Sequence, residues 1–335
     1  MNIYDIAQRA GVSIATVSRV MNGNSHVSDA TRKRVLTVIE ELGFTPSVHA
    51  RSLGKGSMKT IGVLCADASD LFLAQAVNHI EGMLRLEGYN ALLCCTGHAL
   101  ENKRRAIKLL LGKQVDALLL VGSQFQEAED NRHILQAARQ VPVVLINGTL
   151  HSGNLACVRL DHRLAIYRAT QKLIRQGRKV LYLHDSLTHS GREKLEGYQQ
   201  AIDEAGREPA TVMRCAREVD SARTVSRRLL QAMGSRQVGV VASEDFLAIG
   251  ALKAAKEAGF SVPDQVSLIG FNNSLLCQCC QPELSSVDSR VQQLCQEAVA
   301  RAMDMLAGRT TERERILEGI YVGRGTTCDD KEEQP

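Results

Sequence analysis

The sequence predicts a small all-α helix-turn-helix domain at the amino terminus, joined to an α/β core of two doubly wound parallel-sheet subdomains. Three observations carry this reading. Capping residues and glycines cut the first 43 residues into short helices. The chain has 41 Lys and Arg against 37 Asp and Glu, a net charge of +4. Eight of the basic and four of the acidic residues lie in the first 60, so the whole excess sits there. From Thr60 onward, continuous apolar runs alternate with amphipathic stretches, the pattern of strands covered by helices on both faces.

The first helix is capped by Asn2, with Asp5 three residues on, and places Ile3, Ile6, Ala7 and Ala10 on one face before Gly11 ends it. Ser13 caps the second, "IATVSRVM". There Val17 and Val20 or Met21 point inward, while Ile14, Ala15, Thr16, Ser18, Arg19 and Asn22 stay available outside. After a Gly23-Asn24 turn, Ser28 caps a third helix with an apolar stripe of Ala30, Val35, Val38, Ile39 and Leu42, and Gly43 stops it. Two helices joined by a short turn containing glycine make a helix-turn-helix, whose second helix enters the DNA major groove. Small hydroxyls, an amide and an arginine on that face can reach bases and phosphates, and alanine allows close approach. The local excess of positive charge fits a segment that meets phosphates.

The core strands are expected at Ile61–Cys65, Ala91–Cys95, Ala117–Val121 and Val143–Ile146, then at Val180–Leu183, Val238–Val241 and Val266–Gly270. Two such sets form two doubly wound sheets, which bind ligands outside the carboxyl ends of their strands. At 44% hydrophobic and 23% charged residues the chain is globular. No apolar run reaches the roughly 20 residues of a membrane span, and the start lacks a signal-peptide pattern, so a cytoplasmic location is expected. Most of the ten cysteines, Cys65, Cys94, Cys95 and Cys157 among them, are read as buried thiols. No phosphate loop, dinucleotide fingerprint or zinc spacing is present, so neither catalysis, a cofactor nor a metal is expected. Cys277, Cys279 and Cys280 come nearest to a soft-metal or redox cluster and are read as an ordinary loop before Pro282.

The segment "IYDIAQRAGVSIATVSRVMNGNSHVSDATRKRVLTVIEELGFTPSVHARSLGKG" resembles the DNA-binding domain of the LacI/GalR family of bacterial transcription regulators. The resemblance implies that Ser13 to Arg19 and Asn22 form the recognition helix and its end, with Ile14 and Ala15 separating operator preferences. It also implies that His26, Ser28 and Thr31 help to hold the DNA backbone. Residues 47–54 resemble the family's hinge helix, in which Ala50 and Leu53 meet the minor groove and Leu53 is the wedge that bends the duplex. Ser47 in place of the usual Asn, and Gly54 after the wedge, depart from the pattern.

A weaker resemblance runs to residue 328, through Ala68-Ser69-Asp70-Leu71-Phe72, Lys194 to Tyr198, Ser243 to Gly250, Gly270 to Asn273 and Pro282 to Val287. It implies a periplasmic-binding-protein-like core whose chain crosses between its halves near 158, 288 and 320. The expected organisation is a DNA-binding domain at 1–46, hinge and linker at 47–59, a first subdomain at 60–157 and 289–319, a second at 158–288 and 320–328, and a short polar tail at 329–335. The tail has no leucine heptads, so a homodimer on a palindromic operator is expected. By the same resemblance a sugar or sugar derivative binds in the cleft, with Phe72 stacking on it and Ser69, Asp70, Asn147, Lys194, Glu244 and Asn272 supplying polar contacts. The last three stand where the family commonly has Arg, Asn and Asp. Two readings of Glu244 stand: it faces the ligand, favouring an unusual effector such as a phosphorylated or acidic sugar, or it merely complements the dipole of the helix it precedes. The rival functions are a global regulator controlled by a partner protein and a cytoplasmic sugar-binding or sugar-processing protein.

Overall fold

The computed structural model describes residues 2–21, 26–43, 57–206, 209–234, 237–310 and 312–328. The expectations for Asn22, the Gly23-Asn24 turn, the hinge with Ala50 and Leu53, and the tail fall outside them. In the amino-terminal unit, α1 (Ile3–Ala10) begins at Asn2, whose side chain accepts the Tyr4 and Asp5 amides while the Asp5 carboxylate accepts the Asn2 amide at 2.8 Å. Gly11, at φ 65°, ends it in the left-handed region. At the start of α2 (Ile14–Met21), Ser13 Oγ accepts the Thr16 amide at 3.2 Å. Ser28 caps α3 (Asp29–Glu41) in the same way. Ile6, Ala7, Ala10, Val17, Val20, Val35 and Val38 form the core, edged by Ile3, Met21, Ile39 and Leu42. Ala30 is exposed, one turn too early in α3 to reach that core.

The first core sheet is built from β1 (Thr60–Cys65), β2 (Asn90–Cys95), β3 (Ala117–Val121), β4 (Val143–Ile146) and β5 (Leu155–Leu160), with α4 (Leu71–Leu86), α5 (Leu100–Gly112) and α6 (Arg132–Ala137) between them. The second holds β6 (Lys179–His184), β7 (Thr211–Arg214), β8 (Val238–Ala242), β9 (Val266–Phe271) and β10 (Ser285–Asp288). Its helices are α7 (His162–Arg175), α8 (His189–Ala205), α9 (Val219–Met233) and α10 (Asp245–Glu257). The chain then returns to the first half with α11 (Val291–Leu306) and β11 (Glu314–Leu317), and to the second with β12 (Ile320–Val322). The strand orders are β11-β5-β4-β3-β1-β2 and β12-β10-β9-β8-β6-β7. Pairing is parallel except between β10 and β12.

β5 runs to Leu160 within the first sheet, past the expected boundary at 157/158. The apolar reading missed β7, β11 and β12, edge strands where polar residues such as Arg214 and Glu314 are tolerated, and also the interior strands β5 and β10, whose apolar runs are broken by Arg159 and by Ser285, Ser286 and Asp288. Cys65 and Cys157 are buried, but Cys95 is exposed and Cys94 half-buried, because β2 lies at a sheet edge. The halves pack through close contacts of their own. In α8, for example, Gly197 lies so near α7 that a Cβ would run into the Arg163 carbonyl.

Candidate functional site

The outward face of α2 carries exposed Ser13, Ile14, Ala15 and Arg19 and half-buried Thr16 and Ser18, while Val17 and Val20 hold the helix down. The Ser13 and Thr16 hydroxyls lie 2.9 Å apart, as do those of Ser28 and Thr31. Each pair therefore orients polar groups at a helix start. His26, two positions before Ser28 in sequence, is exposed. Apart from Arg19 the side chains of this face are short, hydroxyls mixed with the apolar Ile14 and Ala15, a composition suited to close approach to base edges.

The second site is a cavity of about 270 Å³ between the two sheets, walled by the loops that leave the carboxyl ends of the strands. Asp67 follows β1, Ser123 follows β3, Asn147 follows β4, Asp185 follows β6, Glu244 follows β8 and Asn272 follows β9. Asn147 and Asn272 stand at φ 62° and 95°. Asparagine is among the few residues that tolerate positive φ, and it turns the chain sharply here while leaving an amide at the strand end. Asn147 Oδ1 accepts the Leu160 amide at 3.1 Å, and Asn272 Nδ2 donates to Glu244 Oε2 at 2.6 Å.

Among the described residues, polar contacts close across the cleft at two places. Ser123, on the first half, bonds the Thr188 and Ser190 hydroxyls at 3.0 and 2.7 Å at the start of α8. The Arg217 guanidinium donates to Asp185 at 2.6 Å on its own half and pairs with Asp70 on the other. Burial pushes the Asp185 carboxyl up, but Arg217 outweighs that and holds it below the ordinary range. Glu244 goes the other way, raised to about 7 by burial and further by the nearby Asp185 and Asp70, against the pull of Lys194 and Arg217. Lys194, itself buried, donates to the Ser243 carbonyl at 2.7 Å, approaches Glu244 Oε1 at 3.4 Å and sits 3.8 Å above the Phe271 ring.

The structure brings Asp70, Phe72, Asn147, Lys194, Glu244 and Asn272 to one cavity. Ser69 stands outside it in an adjoining recess, its hydroxyl donated to Asp67 Oδ1 at 2.7 Å. Asp70 is partly engaged in capping α4, where it accepts the Leu73 amide. Glu244 occupies the cap position of α10 without a side-chain capping bond, so its carboxylate is turned toward the cleft. Sequence reasoning missed Asp185, Arg217, Ser123 and His162. The signal for Asp185 was its place just beyond an apolar strand. Arg217 lies in a loop after an edge strand and had no comparable mark. Cys277 is buried in a short 3-10 turn at Leu275–Cys277, Cys280 donates to its carbonyl at 3.5 Å, and Cys279 is exposed.

Residues 2–47 match the family model of bacterial regulatory proteins of the lacI family, and residues 170–327 match a periplasmic binding protein-like domain. A transcriptional regulator of the helix-turn-helix type from Lachnoclostridium phytofermentans is 46% identical over 98% of this chain and 99% of its own length. The regulator AscG of Escherichia coli is 31% identical over 96% of this chain and 97% of its own. Among solved structures, the lac repressor dimer bound to operator and an anti-inducer aligns with a TM-score of 0.86 over 98% of this chain and 99% of its own, at 23% identity, which speaks for the fold alone. A regulator CelR in complex with cellobiose aligns at 0.70 over 97% and 99%, with 27% identity.

Proposed function

The chain belongs to the lacI family of bacterial regulatory proteins, a DNA-binding transcription regulator with an effector-binding core, and from that premise we propose a repressor whose grip on a palindromic operator is set by a small polyhydroxylated effector. The observation that carries this is the union of two features in one chain: a groove-fitting α2 face and a cleft held shut by contacts between its halves. An effector can change DNA affinity only by binding the open and closed cores differently, and a cleft whose walls belong to separate halves is built for that difference. The site residues proposed for DNA are Ser13, Ile14, Ala15, Thr16, Ser18, Arg19, Asn22, His26, Ser28, Thr31, Ala50 and Leu53. For the effector they are Asp70, Phe72, Asn147, Lys194, Glu244 and Asn272, joined by Arg217 and Asp185.

The solved CelR complex with cellobiose supports a carbohydrate class of effector. The protein acts as a homodimer, since one helix-turn-helix reads only half of a palindrome. It works in the cytoplasm, where the operator is, and carries no catalytic activity of its own. No described helix is long and apolar enough to cross a membrane. Selection of bound operators from a random DNA pool, followed by mobility-shift titration with and without candidate sugars, tests the reading. A palindromic consensus and sugar-dependent release support it; failure to select any palindrome overturns it.

A further inference from the structure

Resting on the effector reading above, we propose that the effector carries a protonated amine, as an aminohexose does, and is held by the carboxylates of the cleft. Asp67, Asp70, Asp185 and Glu244 line the cavity, against Lys194 and Arg217 as its only lysine or arginine among the described residues. Both cations are already committed to the protein. Lys194 has three N–H donors, and it faces the Ser243 carbonyl, Glu244 and the Phe271 ring. Arg217 spans Asp70 and Asp185 and lies 5.3 Å above the Phe246 ring.

A phosphate or carboxylate entering here would meet four acidic groups, with the Lys194 donors turned to the protein and only the outer N–H groups of Arg217 open, on a guanidinium whose charge two carboxylates already share. That argues against the acidic or phosphorylated effector considered from the sequence. An ammonium group meets the opposite situation. Glu244 keeps 19% of its side chain accessible, and its neighbours are Lys194 from α8, Arg217 and Asp185 from loops, Asp70 from the first half and the Tyr182 phenol beneath. Burial and the surrounding acids hold part of its population protonated near neutral pH. A cation placed beside it restores the ionised form and expels that proton. Hydroxyls of the ring then have Ser123, Thr188, Ser190, Asn147 and Asn272 as partners.

The test uses the full chain and titration calorimetry at pH 6.5 in two buffers of different ionisation enthalpy. The probes are D-glucosamine, D-galactosamine and D-mannosamine, each beside its parent hexose, its N-acetyl form and its 6-phosphate. The expected result is at least one aminohexose binding tenfold or more tighter than the three related forms, with proton release. Glu244→Gln should abolish both the preference and the proton release. A parent, N-acetyl or phosphorylated sugar that binds as tightly as the amine overturns the inference and leaves the effector reading standing. If no aminohexose binds, the inference also fails, and the effector reading is then decided by sugar-dependent operator release. Glu244→Asp, which retains the carboxylate, checks that loss in the Gln variant is not misfolding: it should keep the preference for the amine.

Discussion

The Arg217 guanidinium reaches across the cleft to the Asp70 carboxylate, tying a loop of the second half to the capping residue of α4 in the first. Because Arg217 also holds Asp185, the contact couples the loops that follow β1 and β6. Arg217 is partly exposed, but Asp70 and Asp185 are largely buried, so removing the guanidinium leaves two desolvated carboxylates without their cation. Arg217→Ala is therefore expected to lower stability by about 1–3 kcal/mol as well as loosening closure. Hydrogen exchange in the ligand-free protein should quicken at residues 66–72 and 185–190; unchanged exchange there would show that the pair does not hold the cleft.

Glu244 gives the core a defined pH dependence. Its folded-state value of about 7 lies above the ordinary 4.5, so the folded chain retains a proton that the unfolded chain releases. The contribution of this group to stability falls as pH rises from about 4.5 to about 7, then stays level, by at most about 3 kcal/mol. His162 and His184, whose values burial lowers, act in the opposite sense as the pH falls. The measurement is thus the difference between wild type and Glu244→Gln in denaturant unfolding from pH 5 to 8. Parallel curves for the two proteins would refute the assignment.

Two glycines in core helices should behave oppositely. A Cβ at Gly197 meets the Arg163 backbone, which cannot give way, so Gly197→Ala should cost on the order of 3 kcal/mol and separate α8 from α7. At Gly82 in α4 nothing lies within 4 Å, and Gly82→Ala should stabilise by about 1 kcal/mol through helix propensity. Thermal melts of the two variants decide it; equal shifts would contradict the packing described.

On the DNA side, Ile14 is 40% exposed and contributes little to the small core. Ile14→Thr should fold normally yet change the preferred operator, since replacing an apolar contact with a hydroxyl alters discrimination at one base pair by about 1–3 kcal/mol. Binding-site selection with both proteins reads this directly. An identical consensus would place Ile14 away from the bases.

Weakening a cap tests the positioning of the same unit. Ser28→Ala removes the acceptor for the Thr31 amide and the hydroxyl partner of Thr31, at a cost of about 1 kcal/mol. The loss should appear as faster exchange in α3 and weaker operator binding, with effector binding unaltered. A drop in effector affinity instead would mean that the cap acts on the core.

How much of this was legible in the sequence follows from what each feature depends on. Asn2, Gly11, Ser13 and Ser28 announce helix ends through bonds to residues two or three positions away, and the runs at 61–65, 117–121 and 143–146 announce buried strands because both their faces must be apolar. Local chemistry therefore determined the amino-terminal helices, the alternation of the core and some of the residues at strand ends that line the cavity, Asn147, Glu244 and Asn272 among them. Edge strands such as β7 and β11 lack that signature, since water rather than protein covers one side. The orientation of Glu244 was undecidable from its neighbours in sequence, because a helix start and a cleft wall make the same demand for an acid. Only folding brought Lys194, 50 positions away, and Asn272, 28 away, to its carboxylate, and set Arg217 against an aspartate 147 residues earlier. Those contacts are long-range electrostatics, and their partners become neighbours only when two separate sheets close over a common cavity.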